Sequence, residues 1–126
     1  MTRAPRAEPR AATAERGAAT AELAVALPSL VLVLAVALAA VDLGLAQVRC
    51  VDAARLGARL LARGEPALTV LAEVRAAAPD GARVMVGTSA GRVTVSVRGA
   101  VPAVLRPLGG VGAPSATAQA LAEGAP

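Results

Sequence analysis

The 126-residue chain contains no aromatic residue, no histidine and no lysine, and it has a single cysteine. Without histidine it cannot form a histidine-based catalytic triad or a histidine-ligated metal site. One cysteine cannot form a thiolate cluster or an internal disulfide. The glycine-rich residues 109–112 lack the lysine and the serine or threonine of a phosphate-binding loop. We therefore predict that the protein is not an enzyme and needs no cofactor or metal.

The basic charge comes entirely from arginine, which gives a net charge of +4 and a pI of about 11.3. The arginines are scattered, no aromatic ring is available for base stacking, and no nucleic-acid-binding motif is present. We therefore expect no nucleic-acid partner. Cys50 is interpreted as a half-buried thiol on a helix, with an intermolecular bridge as the alternative. Four arginines precede the one long apolar run and point to a membrane instead: Arg3, Arg6, Arg10 and Arg16.

That apolar run, residues 23–41, contains nineteen uncharged residues. As a helix it is about 28 Å long, close to the ~30 Å hydrocarbon core of a bilayer. The roughly 84 residues that follow could hardly cover a helix that is apolar on every side. We therefore predict a transmembrane helix. Pro28 removes one backbone donor and predicts a kink, and the Ser29 hydroxyl is expected to bond back to a carbonyl.

The segment before the run, residues 1–17, is rich in alanine, proline and arginine and has no apolar periodicity. It is interpreted as an unfolded cytoplasmic leader, in line with the positive-inside rule. Arginines also follow the run closely on its other side, so charge alone does not fix the orientation. The predicted localisation is a single-pass protein of the cell membrane, with the C-terminal part extracytoplasmic.

Two other interpretations of the apolar run stay open. One is an ordinary secretory signal peptide cut near Ala39, because small-x-small triplets occur there. The other is an uncleaved single-pass membrane protein.

A short motif precedes the run: Gly17 is followed by small residues and by a lone carboxylate, Glu22. One interpretation of Glu22 is a carboxylate near the headgroups that favours the start of the helix dipole. The other is an acid buried in lipid that pairs with a free amine of a neighbouring subunit, because an unpaired charge there costs about 2.5–3.5 kcal/mol.

Gly17, with Glu22 as the fifth residue after it and the apolar residues 23–28, resembles the class III signal of type IV pilins. More narrowly, the chain resembles the TadE-like minor pilins, or pseudopilins, of the tight-adherence (Flp) pilus machinery. Residues 49–59 are similar to the actinobacterial branch of that family. One departure is Leu23, where many relatives have an aromatic residue.

The resemblance implies that a prepilin peptidase cuts between Gly17 and Ala18 and that Glu22 takes part in subunit docking. It also implies membrane lipid, other pilin or pseudopilin subunits, an inner-membrane platform protein and an assembly ATPase as partners. The function so implied is that of a non-catalytic subunit of a Tad/Flp-type pilus or of a related secretion pseudopilus.

Beyond the membrane, the helix is expected to continue as an amphipathic stem. One face of this stem is apolar, with three- and four-residue spacing, and is expected to be offered to a partner: Ala53, Leu56, Gly57 and Leu60. Another face carries arginines one turn apart and is expected to be wet: Arg55, Arg59 and Arg63. Gly64 is expected to cap the stem. The predicted domains are the leader 1–17, the helix 18–64 with its span 23–41, and a small domain 65–126.

The small domain is predicted to begin with a second helix over residues 67–78, presenting Leu68, Leu71 and Val74 on one face. Alternating residues then predict a β-hairpin of strands 83–86 and 92–98 around a loop 88–91. An irregular loop over 101–114, a third strand at 115–121 and a frayed tail 123–126 complete the expectation. The predicted fold class is α+β: a long N-terminal helix, a short second helix and an antiparallel sheet of two or three strands.

Overall fold

The structure, a computed structural model, describes residues 10–123, with side chains from residue 13 onward. In chain order the elements are helix α1 (Arg10–Ala62), helix α2 (Ala67–Ala77), strands β1 (Arg83–Ser89) and β2 (Arg92–Arg98), the 3-10 helix η1 (Ala103–Leu108) and strand β3 (Ser115–Leu121). The predicted α+β class is confirmed, and the third strand forms at the predicted residues.

The chain divides into two compact units, Met1–Ala35 and Val36–Pro126. The described part of the first unit is helical throughout, because α1 already begins at Arg10. The prediction of an unfolded leader is therefore wrong for residues 10–17. Alanine, the strongest helix former, fills much of residues 11–21, and a helix needs no apolar periodicity to form there. Residues 1–9 of the leader lie outside the described residues.

In the second unit, α1 ends in a Schellman motif. The N–H of Gly64 donates to the carbonyl of Leu61 at 3.0 Å, and the N–H of Glu65 donates to that of Leu60 at 3.1 Å. Gly64 has φ +84°, which glycine adopts without strain. The predicted cap at Gly64 is confirmed.

Helix α2 is present, but its buried face differs from the predicted one. Val70 and Val74 are fully buried, Leu71 is half-buried, and Leu68 is 84 % exposed. Leu68 lies in the first turn, where apolar spacing alone does not show which neighbour is close enough to cover a side chain. The buried face therefore runs through Val70, Val74 and Ala78, spaced by one turn.

The sheet has the order β1-β2-β3, and both pairs are antiparallel. Ala90 and Gly91 form the turn of the hairpin, and both have positive φ, +50° and +71°. This is the type I′ geometry that matches strand twist. The predicted loop 88–91 is therefore too long, because Thr88 and Ser89 pair with Val93 and Arg92.

The core lies between the sheet and the two helices. Val93, Val95 and Val97 of β2 are buried, as the alternation predicts. A Cβ on Gly57 of α1 would lie 2.6 Å from Cγ2 of Val74 and 3.1 Å from Cγ1 of Val95. Close approach of α1 to α2 and β2 thus depends on small residues, which replace the large apolar side chains of an ordinary core.

Two predicted irregular segments contain order. The loop 101–114 includes η1, in which Leu105 is buried. The N–H of Ala122 donates to the carbonyl of Gly91 at 2.8 Å, and that of Glu123 donates to Ala62 at 2.9 Å. Glu123 is therefore tied to the end of α1 and does not belong to a frayed tail, while residues 124–126 lie outside the described residues.

Candidate processing and docking site

Gly17 and Ala18 lie in α1, and both are exposed. No atom outside the helix's own local backbone would lie within 4 Å of a Cβ on Gly17, so the surface around it is open. Cleavage of the bond between the two residues would require this turn to unwind. Glycine inside a helix costs about 1 kcal/mol relative to alanine. The Thr20 hydroxyl also donates to the carbonyl of Arg16 at 2.8 Å, a local bond that competes with the helix ladder.

Glu22 lies one helical turn after Ala18, so the two residues share a face of α1. Its side chain is exposed. The structure thus brings Gly17, Ala18 and Glu22 together within two turns of one helix. Both interpretations of Glu22, a carboxylate near the headgroups or an acid that pairs with a neighbour's amine, stay predictions.

Pro28 lies inside α1, which continues on both sides of it. Because proline has no N–H, the carbonyl of Ala24 loses its usual helical donor. The Ser29 hydroxyl donates to the carbonyl of Val25 at 2.8 Å, so the predicted bond back to a carbonyl is confirmed. The kink at Pro28 stays a prediction.

The segment that follows Glu22 is apolar on every side. Five consecutive residues, 30–34, are 56–65 % exposed, and five residues at 100° per residue cover the whole circumference of a helix. By length and composition α1 could span a membrane, and its most apolar stretch is only 6 % buried. A signal sequence near an N-terminus has the same character.

The predicted wet face of the stem is confirmed, since Arg55, Arg59 and Arg63 are exposed. The expectation that the dry face is offered to a partner is wrong for Ala53 and Gly57. Ala53 and Gly57 are buried by the chain's own α2 and sheet, while Leu56 and Leu60, also on that predicted face, are half-buried. The short second helix and the sheet together are large enough to cover a stripe of small residues.

Cys50 is fully buried, and its thiol is free. Its Sγ donates to the carbonyl of Pro114 at 3.7 Å. Burial raises the pKa of the Cys50 thiol, and a weaker opposing effect comes from a hydrogen bond with the backbone of Gly99. The thiol is more buried than predicted, so a bridge to another chain would require this part of the fold to open.

Gln47 is a structural residue that sequence reasoning missed. Its side-chain amide donates to the carbonyl of Ser115 at 3.0 Å and accepts from the N–H of Ser115 at 2.9 Å. The amide thus pairs with β3 as a residue of a further strand would. No sequence signal links two residues that lie 68 positions apart.

Comparisons with protein-family models, curated proteins and solved structures give no match to this chain. The class that the fold and the site define is therefore a small α+β protein with a long, apolar N-terminal helix.

Proposed function

We propose that the protein is a non-catalytic, pilin-like subunit of the minor pilin or pseudopilin type. A prepilin peptidase cuts it after Gly17, and the product keeps its apolar helix and joins a Tad/Flp-type pilus or a related secretion pseudopilus. Its partners are then other pilin subunits, the platform protein with its assembly ATPase, and membrane lipid. The N-terminus lies in the cytoplasm, and the small domain lies outside the membrane.

The observation that carries the proposal is the exposed apolar surface around the whole circumference of residues 30–34. In water such a surface is not stable alone, so it needs lipid or other helices. A helix that is apolar on every side also suits both environments, because moving it from lipid to a bundle of similar helices exchanges one apolar contact for another. Small residues along residues 18–46 allow close helix approach.

The chemistry at the proposed cut explains the position of Glu22. Hydrolysis adds water across the Gly17–Ala18 peptide bond and leaves a carboxylate on Gly17 and a free amine on Ala18. The product then carries one amine and one carboxylate just before the apolar segment. Either charge alone is costly in an apolar bundle, and pairing between neighbouring subunits offsets that cost.

Two alternatives make different products. A secretory signal cut near Ala39 releases the remaining domain from the membrane. Ala39 is only 6 % exposed and belongs to the second unit, so this cut removes a packed residue from the folded domain. An uncleaved anchor leaves the full-length chain in the membrane.

The test compares two glycines of α1 that both have open space around them, Gly17 and Gly44. Wild type, Gly17→Leu and Gly44→Leu are each expressed with a prepilin peptidase, and the intact mass of the membrane-fraction protein is measured. We expect wild type and Gly44→Leu to lose residues 1–17 and Gly17→Leu to keep them. Unshortened wild type, or a product released into the medium, would contradict the proposal.

A further inference from the structure

One face of α1 is buried where the predicted span ends. Ala39 and Cys50 are buried, and Val36, Leu43 and Ala46 are half-buried, while most residues between them are exposed. Their spacing alternates between three and four residues, so they form one face of the helix. This face, which we call the proximal stripe, begins within the apolar run 23–41 and ends at Cys50.

The connection between β2 and β3, residues 99–114, begins and ends beside Cys50. The N–H of Gly99 donates to the carbonyl of Pro114 at 2.8 Å, and the Cys50 thiol lies 3.7 Å from that same oxygen. Within this connection, Leu105 of η1 is only 4 % exposed. Among the described residues, no Cα atom of η1 lies within 8 Å of a Cα atom of α2 or of any of the three strands. We infer by elimination, among the described elements, that η1 packs on the proximal stripe.

The proximal stripe overlaps the end of the apolar run, because Val36 and Ala39 both precede Val41, so a connection that packs along this stripe extends toward that end. The other side of η1 carries both apolar and basic groups. Leu108 is 61 % exposed and Val104 is 38 % exposed. Arg106 is also exposed, and its Nε donates to the carbonyl of Val101 at 3.4 Å, which leaves both terminal amino groups of the guanidinium for a ligand.

Two more exposed arginines lie at the end of the sheet where the connection leaves β2 and enters β3. Arg83 and Arg98 are direct cross-strand partners, and none of the three strands contains a carboxylate. Two like charges in this position destabilise a sheet unless an anion lies between them. On β3, the cross-strand partner of Arg98 is Ser115. The N–H of Ser115 donates to the side chain of Gln47 on α1. Gln47 lies six residues, or about 9 Å of helix, beyond Val41. Each headgroup region of a bilayer is about 5–8 Å thick, so this end of the sheet lies near the outer edge of that region.

We propose that residues 99–114 form an interfacial loop that binds anionic lipid at the extracytoplasmic surface of the bilayer. Leu108 and Val104 enter the boundary between headgroups and acyl chains, and Arg106, with Arg98 and Arg83, binds lipid phosphate. This mixture of apolar and basic groups is that of segments that lie in a membrane interface. The inference rests on the membrane insertion in the proposed function, and it concerns a different part of the chain.

The test uses tryptophan as a depth probe, because the chain has no aromatic residue and an introduced tryptophan is its only fluorophore. The full chain is reconstituted in vesicles of phosphatidylcholine with phosphatidylglycerol, and quenching by brominated lipids is measured. Three variants are compared: Leu108→Trp in the loop, Leu30→Trp in the apolar run, and Leu68→Trp as a matched exposed control. Leu68 follows the end of α1, which lies about 31 Å along the helix from Val41.

We expect quenching and blue-shifted emission for Leu108→Trp and Leu30→Trp, and neither for Leu68→Trp. If Leu30→Trp is quenched but Leu108→Trp emits as in water, the interfacial loop is refuted while membrane insertion stands. If Leu30→Trp is also unquenched, the insertion itself is refuted. Protection of Leu108→Trp only in assembled filaments, without lipid quenching, would mean that another subunit covers the loop and would overturn the proposal.

A second variant tests the role of the arginine. Arg106→Gln added to Leu108→Trp should lower the ratio of membrane-docked to free loop by about fivefold in vesicles that contain phosphatidylglycerol. In vesicles of phosphatidylcholine alone the same substitution should have a much smaller effect. Equal effects in the two lipids would show that lipid charge does not hold the loop.

Discussion

Gly57→Ala tests how closely α1 approaches the rest of the small domain. The new methyl group gains the intrinsic helix preference of alanine over glycine, about 1 kcal/mol. It also meets Val74 at 2.6 Å and Val95 at 3.1 and 3.3 Å. Both valines are fully buried and stiff at χ1, so neither can move aside easily. Overpacking of this kind costs about 1–3 kcal/mol, and we expect a net loss of about 1 kcal/mol.

The matched control is Gly44→Ala, because Gly44 lies in the same helix and a Cβ there meets no atom within 4 Å. This variant should gain up to about 1 kcal/mol from helix preference alone. The assay is denaturant unfolding of the full chain in detergent micelles, followed by far-UV circular dichroism. Separation of the two variants by about 2 kcal/mol is the expected result.

A double-mutant cycle shows whether the collision is the cause. Val74→Ala alone opens a cavity, but in the Gly57→Ala background it also removes the nearest colliding atom. The two substitutions should therefore cost less together than the sum of their separate costs, by about 1 kcal/mol or more. Additive costs, or a Gly57→Ala protein as stable as Gly44→Ala, would refute the close packing of α1 on α2.

Three other substitutions or conditions test local features. The raised pKa of Cys50 means that burial favours the neutral thiol, so its contribution to stability is complete below the ordinary thiol pKa of 9.0 and is lost as the pH rises beyond it. The chain contains no lysine, tyrosine or histidine, so unfolding free energy should fall as the pH rises above about 9 in wild type but much less in Cys50→Ala. Gln47→Ala removes two hydrogen bonds to Ser115 and should cost about 1 kcal/mol in the same unfolding assay; no loss would mean that water replaces the amide. Ala90→Gly should raise stability by about 1 kcal/mol, because Ala90 has φ +50° in the hairpin turn; a lower thermal midpoint would contradict the type I′ geometry.

Much of the fold could be predicted because its signals are local. Alternation in β2 identified Val93, Val95 and Val97 as the buried face, and Gly64 marked the end of α1. The position of helix α2 was predicted correctly, but the face that it buries was not. Leu68 is apolar, yet it is exposed, and Val70 is buried in its place. The helical part of the leader was missed, because alanine-rich helices form by intrinsic propensity and leave no periodic pattern.

Long-range contacts were beyond a single sequence. The amide of Gln47 bonds to Ser115 across 68 positions, and a lone glutamine in a helix predicts nothing about a distant strand. The covering of the stem's dry face by the chain's own α2 was missed for the same reason. At the candidate site, by contrast, Gly17, Ala18 and Glu22 are neighbours in sequence, so their joint position on α1 followed from helix formation alone.

The central claim concerns one peptide bond ahead of the apolar helix, and N-terminal sequencing of the membrane-extracted protein tests it most directly. Cells that carry a prepilin peptidase should yield a polypeptide that begins at Ala18 and retains the apolar residues 23–41. A sequence that still includes Met1, or one that begins just after Ala39, would contradict the account.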